Sequence, residues 1–261
     1  MDRSVDYDIL PFPPARRVIV DAGRLASRRH VVHGLLEVDV TAARVFMRGA
    51  RARGEDLSFT AFLVACFAGA IAANPTVQAY RDGRGRLIVF HDVDVATPIE
   101  AVAGAAAIPH IVRAANRRTV AEISAEIRAV QTRPDTSQQA GGLVALGERA
   151  PRLAREIFYW GIRRNPHWLK RTSGTAIVTS VGMFGRRGGW GVGFLPLHTL
   201  GLTVGGISQK PGVHEGQVAI REYLNLTLSF DHDIVDGAPA ARFARAFTEL
   251  VEGASLFGPH P

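Results

Sequence analysis

The stretch SFDHDIVDGAPAARF, residues 229–243, joins an alternating strand to a helix and places four titratable side chains within six residues. The preceding strand, predicted at 221–230, alternates large apolar residues with polar ones, so one of its faces is expected to be buried. His232 leaves this strand beside the packed surface. Asp236 follows where the helix begins, and a helix dipole stabilises a carboxylate at that position. Three interpretations compete for this loop: a metal site, a catalytic base and an acidic turn.

The metal interpretation fails on spacing. A calcium loop needs oxygen ligands at positions 1, 3 and 5, glycine at 6 and glutamate at 12. Counted from Asp231, position 5 is Val235, the glycine falls at position 7 and position 12 is Arg242. No second histidine stands three or four residues from His232, so we expect no metal here. The acidic turn stays open, but a histidine fixed at the end of a packed strand near a structural acid suits a general base.

Other segments show strand or helix patterns of their own. Ser58 is placed to cap one helix, and Thr119 with Glu122 forms a capping box for another. Further strands are predicted at 34–40, 175–180 and 199–207, a hairpin across 77–90, and helices at 58–75, 119–130 and 238–252. Because strands and helices mix without a strict βαβ order, the sequence predicts an α+β fold or a mixed sheet.

Composition restricts the class of protein. The chain has 261 residues, 47% of them hydrophobic, which is enough for a substantial core. Cys66 is the only cysteine, and neither a membrane-spanning run nor a signal peptide is visible, so a cytoplasmic protein is expected. The net charge of +7 favours a polyanionic partner such as a phosphorylated cofactor. Since no basic motif is interleaved with aromatic residues, nucleic-acid binding is not expected.

The segment 148–171 is basic and aromatic and predicts a helical insert. The simplest interpretation is that it packs on the rest of the domain through four apolar side chains: Ile157, Phe158, Trp160 and Ile162. Two functional alternatives stay open, a lid over an acceptor pocket and a helix on a membrane surface.

Two motifs carry a resemblance to a known family. The stretch DHDIVDGAPAARF at 231–243 resembles the D-H-x-x-x-D-G signature of the 2-oxo acid dehydrogenase acyltransferases, which share their fold with chloramphenicol acetyltransferase. Upstream, TSVGMFG at 179–185 resembles the serine-or-threonine, asparagine, x-Gly-Met-Phe-Gly loop of the same family. Weaker similarities extend over most of the chain, at 15–20, 31–41, 57–66 and 108–127.

The resemblance implies a chloramphenicol acetyltransferase-like α+β fold, a two-layer sandwich with a mixed β-sheet and flanking helices. It implies that His232 is the base that deprotonates the acceptor and that Asp236 is an orienting aspartate. Thr179 would stabilise the oxyanion, with Ser180 as the alternative if the alignment slips by one residue. An N-terminal arginine, Arg16 or Arg17, would contact the aspartate.

Substrate contacts are implied as well. Gly182 and Phe184 of the second motif would lie against the substrate. If the insert is a lid, its Trp160 would contact the acceptor. Arg186 and Arg187 would suit the phosphates of coenzyme A. The resemblance also implies a homotrimer with each active site between neighbouring chains.

Departures from the family suggest a different acceptor. The segment 194–202 replaces the family's Asn-Pro-Pro stretch and brings His198 near the motif. We expect one acyltransferase catalytic domain over 1–261, without a lipoyl or peripheral-subunit-binding domain. The favoured function is acetyl-CoA-dependent O-acetylation of a small molecule, such as a tetronate intermediate in natural-product biosynthesis. The alternatives are a dihydrolipoamide acyltransferase of a 2-oxo acid dehydrogenase complex and a catalytically silent trimeric scaffold.

Overall fold

A six-stranded mixed sheet organises the molecule. The structure, a computed structural model, describes residues 7–13, 16–100, 107–137, 150–181 and 188–257. The strands of the sheet follow the order β1-β8-β7-β6-β4-β5. They are β1 (Val31–Asp39), β4 (Val95–Ile99), β5 (Ile108–Val112), β6 (Ala176–Ser180), β7 (Leu200–His214) and β8 (Gln217–Asp231). A small separate hairpin consists of β2 (Tyr80–Arg81) and β3 (Leu87–Ile88).

The sheet is mixed because β6 pairs in parallel with both β4 and β7, whereas the other pairings are antiparallel. The helices are α1 (Arg16–Ala26), α2 (Thr41–Ala52), α3 (Phe59–Ala73), α4 (Val120–Thr132), α5 (Arg152–Arg164), α6 (Pro166–Ser173) and α7 (Gly237–Glu252). The prediction of an α+β fold with a mixed sheet is therefore confirmed.

The core lies between one face of the sheet and the helices α3, α4 and α7. The apolar side chains of β8 are buried there, as their alternation predicts: Leu224, Leu226, Leu228 and Phe230. From α7, Phe243 packs edge-on against Phe67 of α3 and against Phe230 of β8. These edge-on aromatic contacts fix the apolar face of β8, the strand that precedes His232.

Two helix starts match their sequence signals. Ser58 caps α3 by accepting a hydrogen bond from the Ala61 amide, and Thr119 and Glu122 form the expected capping box on α4. Cys66 is fully buried in α3, and burial raises the pKa of its thiol.

The opposite face of the sheet carries polar side chains that are buried under the segment 188–199. Thr203 of β7 and Thr227 of β8 pair across the strands and lie on this face. Gly193 of the covering segment is so close that an added Cβ would lie 3.3 Å from Thr203 Oγ1 and 3.7 Å from Thr179 Cγ2. Thr179 of β6 therefore shares this polar face.

The predicted insert forms the two helices α5 and α6, but it packs through fewer side chains than expected. Ile162 is buried, and Phe158 lies edge-on against Trp168 of α6. Ile157 and Trp160 are exposed, at 60% and 61%, so the expectation that they pack on the domain is wrong. Helix α5 turns these two side chains away from the small cluster that holds Ile162. Within the described ranges, no helix is both long and apolar enough to cross a membrane.

Candidate active site

His232 occupies a tight turn at the end of β8. The amides of Ile234 and Val235 donate to the Asp231 carbonyl at 3.1 and 3.0 Å, which closes the turn. The His232 amide donates to the His30 carbonyl at 2.8 Å, so the backbone of the loop is fixed to the chain that enters β1. The imidazole itself is exposed and makes no hydrogen bond or ion pair with any residue that the structure describes. A fixed backbone with a free side chain is an arrangement that can serve a general base.

A buried ion pair holds the strand end of this loop. Arg29 Nη1 lies 2.6 Å from Asp231 Oδ2, and the two side chains are only 11% and 6% exposed. The same guanidinium donates to the carbonyls of Leu197 and His198 at 2.9 and 2.8 Å. Burial lowers the pKa of Arg29, and the nearby Asp231 carboxylate opposes that shift. Arg29 therefore joins three segments: the entry to β1, the end of β8 and the chain leading into β7.

The prediction that Arg16 or Arg17 contacts Asp236, the second aspartate of the motif, is wrong. Arg16 and Arg17 lie exposed on α1, and within the described residues neither contacts Asp236. Asp236 is the exposed N-cap residue of α7, and its side chain makes no capping hydrogen bond. The arginine of this site is Arg29, and it contacts Asp231. The physical reason is burial: a guanidinium out of water needs a carboxylate beside it, and Asp231 is the buried one.

A second acid–base pair flanks the histidine at the surface. His30 Nδ1 lies 2.8 Å from Asp233 Oδ1. The hydrogen bond with Asp233 raises the pKa of His30, and the same bond lowers the pKa of Asp233. Asp233 is thereby occupied with His30, next to His232 in the chain.

Thr179 and Ser180 lie at the end of β6, away from His232 of the same chain. In the ladder, Thr179 is level with Thr203, which is level with Thr227. His232 comes five residues after Thr227, so the two side chains are separated by about 15 Å along the strands, besides the width of two strand spacings. One chain thus does not bring Thr179 and His232 together around a single acyl group.

His198 is buried and lines an apolar cavity of about 240 Å³. Its Nε2 donates to the Ser173 carbonyl at 2.7 Å, and its Nδ1 is buried without a hydrogen-bond partner among the described residues. Burial lowers the pKa of His198 to about 4, so the ring is neutral at pH 7 and Nδ1 offers a free lone pair. The cavity is also lined by Leu25 of α1, Thr97 of β4 and Tyr159 of α5.

Among the described residues, no other residue predicted to contact substrate or coenzyme A lines the cavity beside His198. Trp160 does not line this apolar cavity and belongs to a second, polar one. Gly182, Phe184, Arg186 and Arg187 fall outside the described residues.

Sequence patterns did not identify Arg29, the central cation of the site. It stands directly before His30 and the strand β1, a long way in sequence from Asp231. The signal available was the position of Asp231 directly after the last residue of the alternating strand, because a carboxylate that is buried there needs a cation beside it.

With this geometry in place, the chain can be compared with known proteins. A family model described as 2-oxoacid dehydrogenases acyltransferase (catalytic domain) matches residues 6–140 and 169–257. The chain belongs to this acyltransferase family. Residues 141–168, which include α5, lie outside the matched part.

Curated relatives of this family are moderately similar. The chain is 27% identical to the lipoamide acyltransferase component of the branched-chain alpha-keto acid dehydrogenase complex of Pseudomonas putida, over 96% of this chain and 53% of the relative. It is 26% identical to the dihydrolipoyllysine-residue acetyltransferase component of the pyruvate dehydrogenase complex of Zymomonas mobilis, over 91% of this chain and 48% of the relative. The chain thus spans about half the length of these relatives.

Solved structures confirm the fold of the acyltransferase family. A probable dihydrolipoamide acetyltransferase from Listeria monocytogenes superposes with a TM-score of 0.71 at 21% identity, over 95% of both chains. A chloramphenicol acetyltransferase superposes with a TM-score of 0.54 at 15% identity, over 94% of this chain and 98% of that one. The predicted chloramphenicol acetyltransferase-like fold is therefore confirmed.

Proposed function

We propose that this acyltransferase moves an acyl group between coenzyme A and the thiol of dihydrolipoamide, with His232 as the general base. The observation that carries the proposal is the exposed imidazole of His232 on a backbone fixed by His30 and by the Arg29–Asp231 pair. The names of the relatives support dihydrolipoamide as the acceptor, in preference to the natural-product alcohol suggested by the sequence departures.

The reaction follows from direct transfer. A neutral ring nitrogen of His232 takes the proton of the acceptor thiol as the sulfur attacks the thioester carbonyl. The tetrahedral oxyanion accepts a hydrogen bond from the Thr179 hydroxyl. When the intermediate collapses, the C–S bond to the departing thiol breaks, and the imidazolium returns the proton to that thiol. General-base catalysis contributes roughly 10²–10⁴-fold in rate, and an oxyanion donor about 10²–10³-fold.

Because Thr179 and His232 of one chain are far apart, the proposal places them in neighbouring chains of a homo-oligomer, with a trimer as the expected state. Each active site then receives the oxyanion donor from one chain and the base from the next. Coenzyme A is a co-substrate in this scheme, and no metal takes part in it.

A second candidate acceptor is favoured by the apolar cavity beside His198. Its lining includes His198 and Tyr159 and is largely apolar, which suits a small apolar molecule that carries one hydroxyl. O-acylation of such an alcohol would use the same base and the same oxyanion donor.

Turnover of acetyl-CoA, followed as free thiol release, tests the proposal. The acceptors are dihydrolipoamide, chloramphenicol and a hydroxymethyl tetronate, and the variants are His232→Ala and the exposed control His214→Ala. Turnover with dihydrolipoamide that is lost only in His232→Ala supports the proposal. Turnover restricted to an alcohol supports the second candidate. Equal background in all three proteins with every acceptor contradicts both.

A further inference from the structure

A second cavity, of about 510 Å³, opens beside the loop that carries His232. Its walls come mainly from the residues flanking His232, the hairpin of β2 and β3, helix α5, and Arg28 and Arg29 before β1. Helix α5 lies outside the part of the chain that the family model matches, so this cavity combines the loop that carries His232 with a segment the family model does not match.

The lining is rich in arginine. Besides Arg29, four arginines line the cavity, and no carboxylate among the described residues forms an ion pair with any of them: Arg28, Arg81, Arg163 and Arg164. They come from the chain before β1, from β2 and from α5. Four guanidinium groups around one cavity repel one another unless an anion lies between them.

The acidic residues of the cavity do not supply that anion, because each already has a partner. Asp231 pairs with Arg29, Asp233 pairs with His30, and Asp82 pairs with Arg86. The arginines of the cavity also outnumber these three carboxylates, so the cavity keeps an excess of positive charge.

The same cavity also has an aromatic surface. Trp160 lines the cavity and is 61% exposed, and the Arg164 guanidinium lies 4.8 Å from the centroid of its ring. An exposed indole beside guanidinium groups provides a surface on which a planar group can stack.

We propose that this cavity binds the phosphate groups of a phosphorylated ligand of the acyltransferase. The planar, bidentate guanidinium matches phosphate oxygens better than any other side chain. The phosphates have two possible sources, the nucleotide end of coenzyme A and a phosphate on the acceptor. The choice of source rests on the proposed function, whereas phosphate binding at the cavity does not.

Calorimetric titration of the full chain with inorganic pyrophosphate tests the site itself. Arg163→Gln removes a cavity arginine, and Arg81→Gln removes one from a different element in case the first variant folds poorly. Arg51→Gln on α2 is the matched control, since it loses the same charge at an exposed position outside the cavity. Loss of a charged hydrogen bond should weaken binding by about 10- to 100-fold in the cavity variants and leave the control unchanged.

Pyrophosphate that does not bind the wild type, or that binds the cavity variants and the control equally well, overturns the proposal. Coenzyme A and pantetheine then identify the source. If Arg163→Gln weakens coenzyme A and leaves pantetheine unchanged, the phosphates belong to the nucleotide end of the donor. If it weakens pyrophosphate alone, they belong to a phosphorylated acceptor other than dihydrolipoamide. Because binding is read without turnover, failure of the acyl-transfer assay with pyrophosphate binding retained refutes the proposed function and not this site.

Discussion

The two ends of the His232 loop are held in opposite ways. At the strand end, Asp231 is buried against Arg29, and its backbone closes the turn. At the helix end, Asp236 is exposed and its side chain has no capping contact. The histidine between them is thus positioned from the strand side. Two aspartates of one short motif thus differ completely in what they contribute to the site.

The largest effect is expected at the histidine between the two ends. His232→Ala should lower acyl transfer by roughly 10²–10⁴-fold, because the variant loses the base. Its free energy of unfolding should stay within about 0.5 kcal/mol of the wild type, because the imidazole is exposed and unbonded within the described structure. Urea unfolding beside the turnover assay checks both. A large loss of unfolding free energy alongside the loss of activity would mean that His232 has a structural role.

The strand end should dominate stability. Asp231→Asn leaves the buried Arg29 charge without its partner and should cost about 3–5 kcal/mol of unfolding free energy. The control Asp56→Asn breaks an exposed pair with Arg128 and should cost at most about 1 kcal/mol. Urea denaturation of both variants at pH 7 compares them. If Asp231→Asn proves no more harmful than the control, the strand end is not what holds the loop.

His198, whose carbonyl also accepts from Arg29, makes the strand side sensitive to pH. Burial lowers its pKa to about 4 from 6.5, so between these values the unfolded chain binds more protons than the folded one. The contribution of His198 to the free energy of unfolding is therefore fully present above pH 6.5 and is lost as the pH falls towards 4. Between pH 7.5 and 5 this group should remove about 2 kcal/mol. His198→Gln should lose that much less over the same range, and an unchanged pH dependence would contradict the assignment.

The helix end should give the smallest effect. Asp236→Asn removes only a favourable interaction between an exposed carboxylate and the N-terminus of α7, worth about 0.3–1 kcal/mol at low salt. The loss should shrink further at high salt because the interaction is screened. Thermal unfolding at two salt concentrations measures it. A cost comparable to that of Asp231→Asn would show that both ends hold the loop.

Local patterns predicted the elements whose packing depends on their own sequence. The alternation in β8, the cap at Ser58 and the capping box at Thr119 each describe contacts made within a few residues, and each appears in the structure. The resemblance of two motifs extended this to the fold, whereas the role of His232 stays a prediction.

The site's supporting contacts were not predictable in the same way. Arg29 reaches Asp231 across 202 positions of the chain, and the sequence offers several other arginine pairs of equal appearance. The exposure of Trp160 depends on how α5 rests against α6, which helical periodicity alone does not determine. The hairpin of β7 and β8 is also longer than the two predicted strands. The prediction stopped short because the outer half of the hairpin alternates less clearly between apolar and polar residues.

The most direct test of the whole account is subunit complementation between Thr179→Ala and His232→Ala. Each variant alone should be nearly inactive. Chains carrying different affinity tags are co-expressed, and the mixed oligomers are purified through both tags. If the base and the oxyanion donor come from neighbouring chains, every mixed trimer should have one intact site, so about a third of the sites should be restored. Mixed oligomers with no more activity than the two parents would contradict the account, because they would place both groups in one chain.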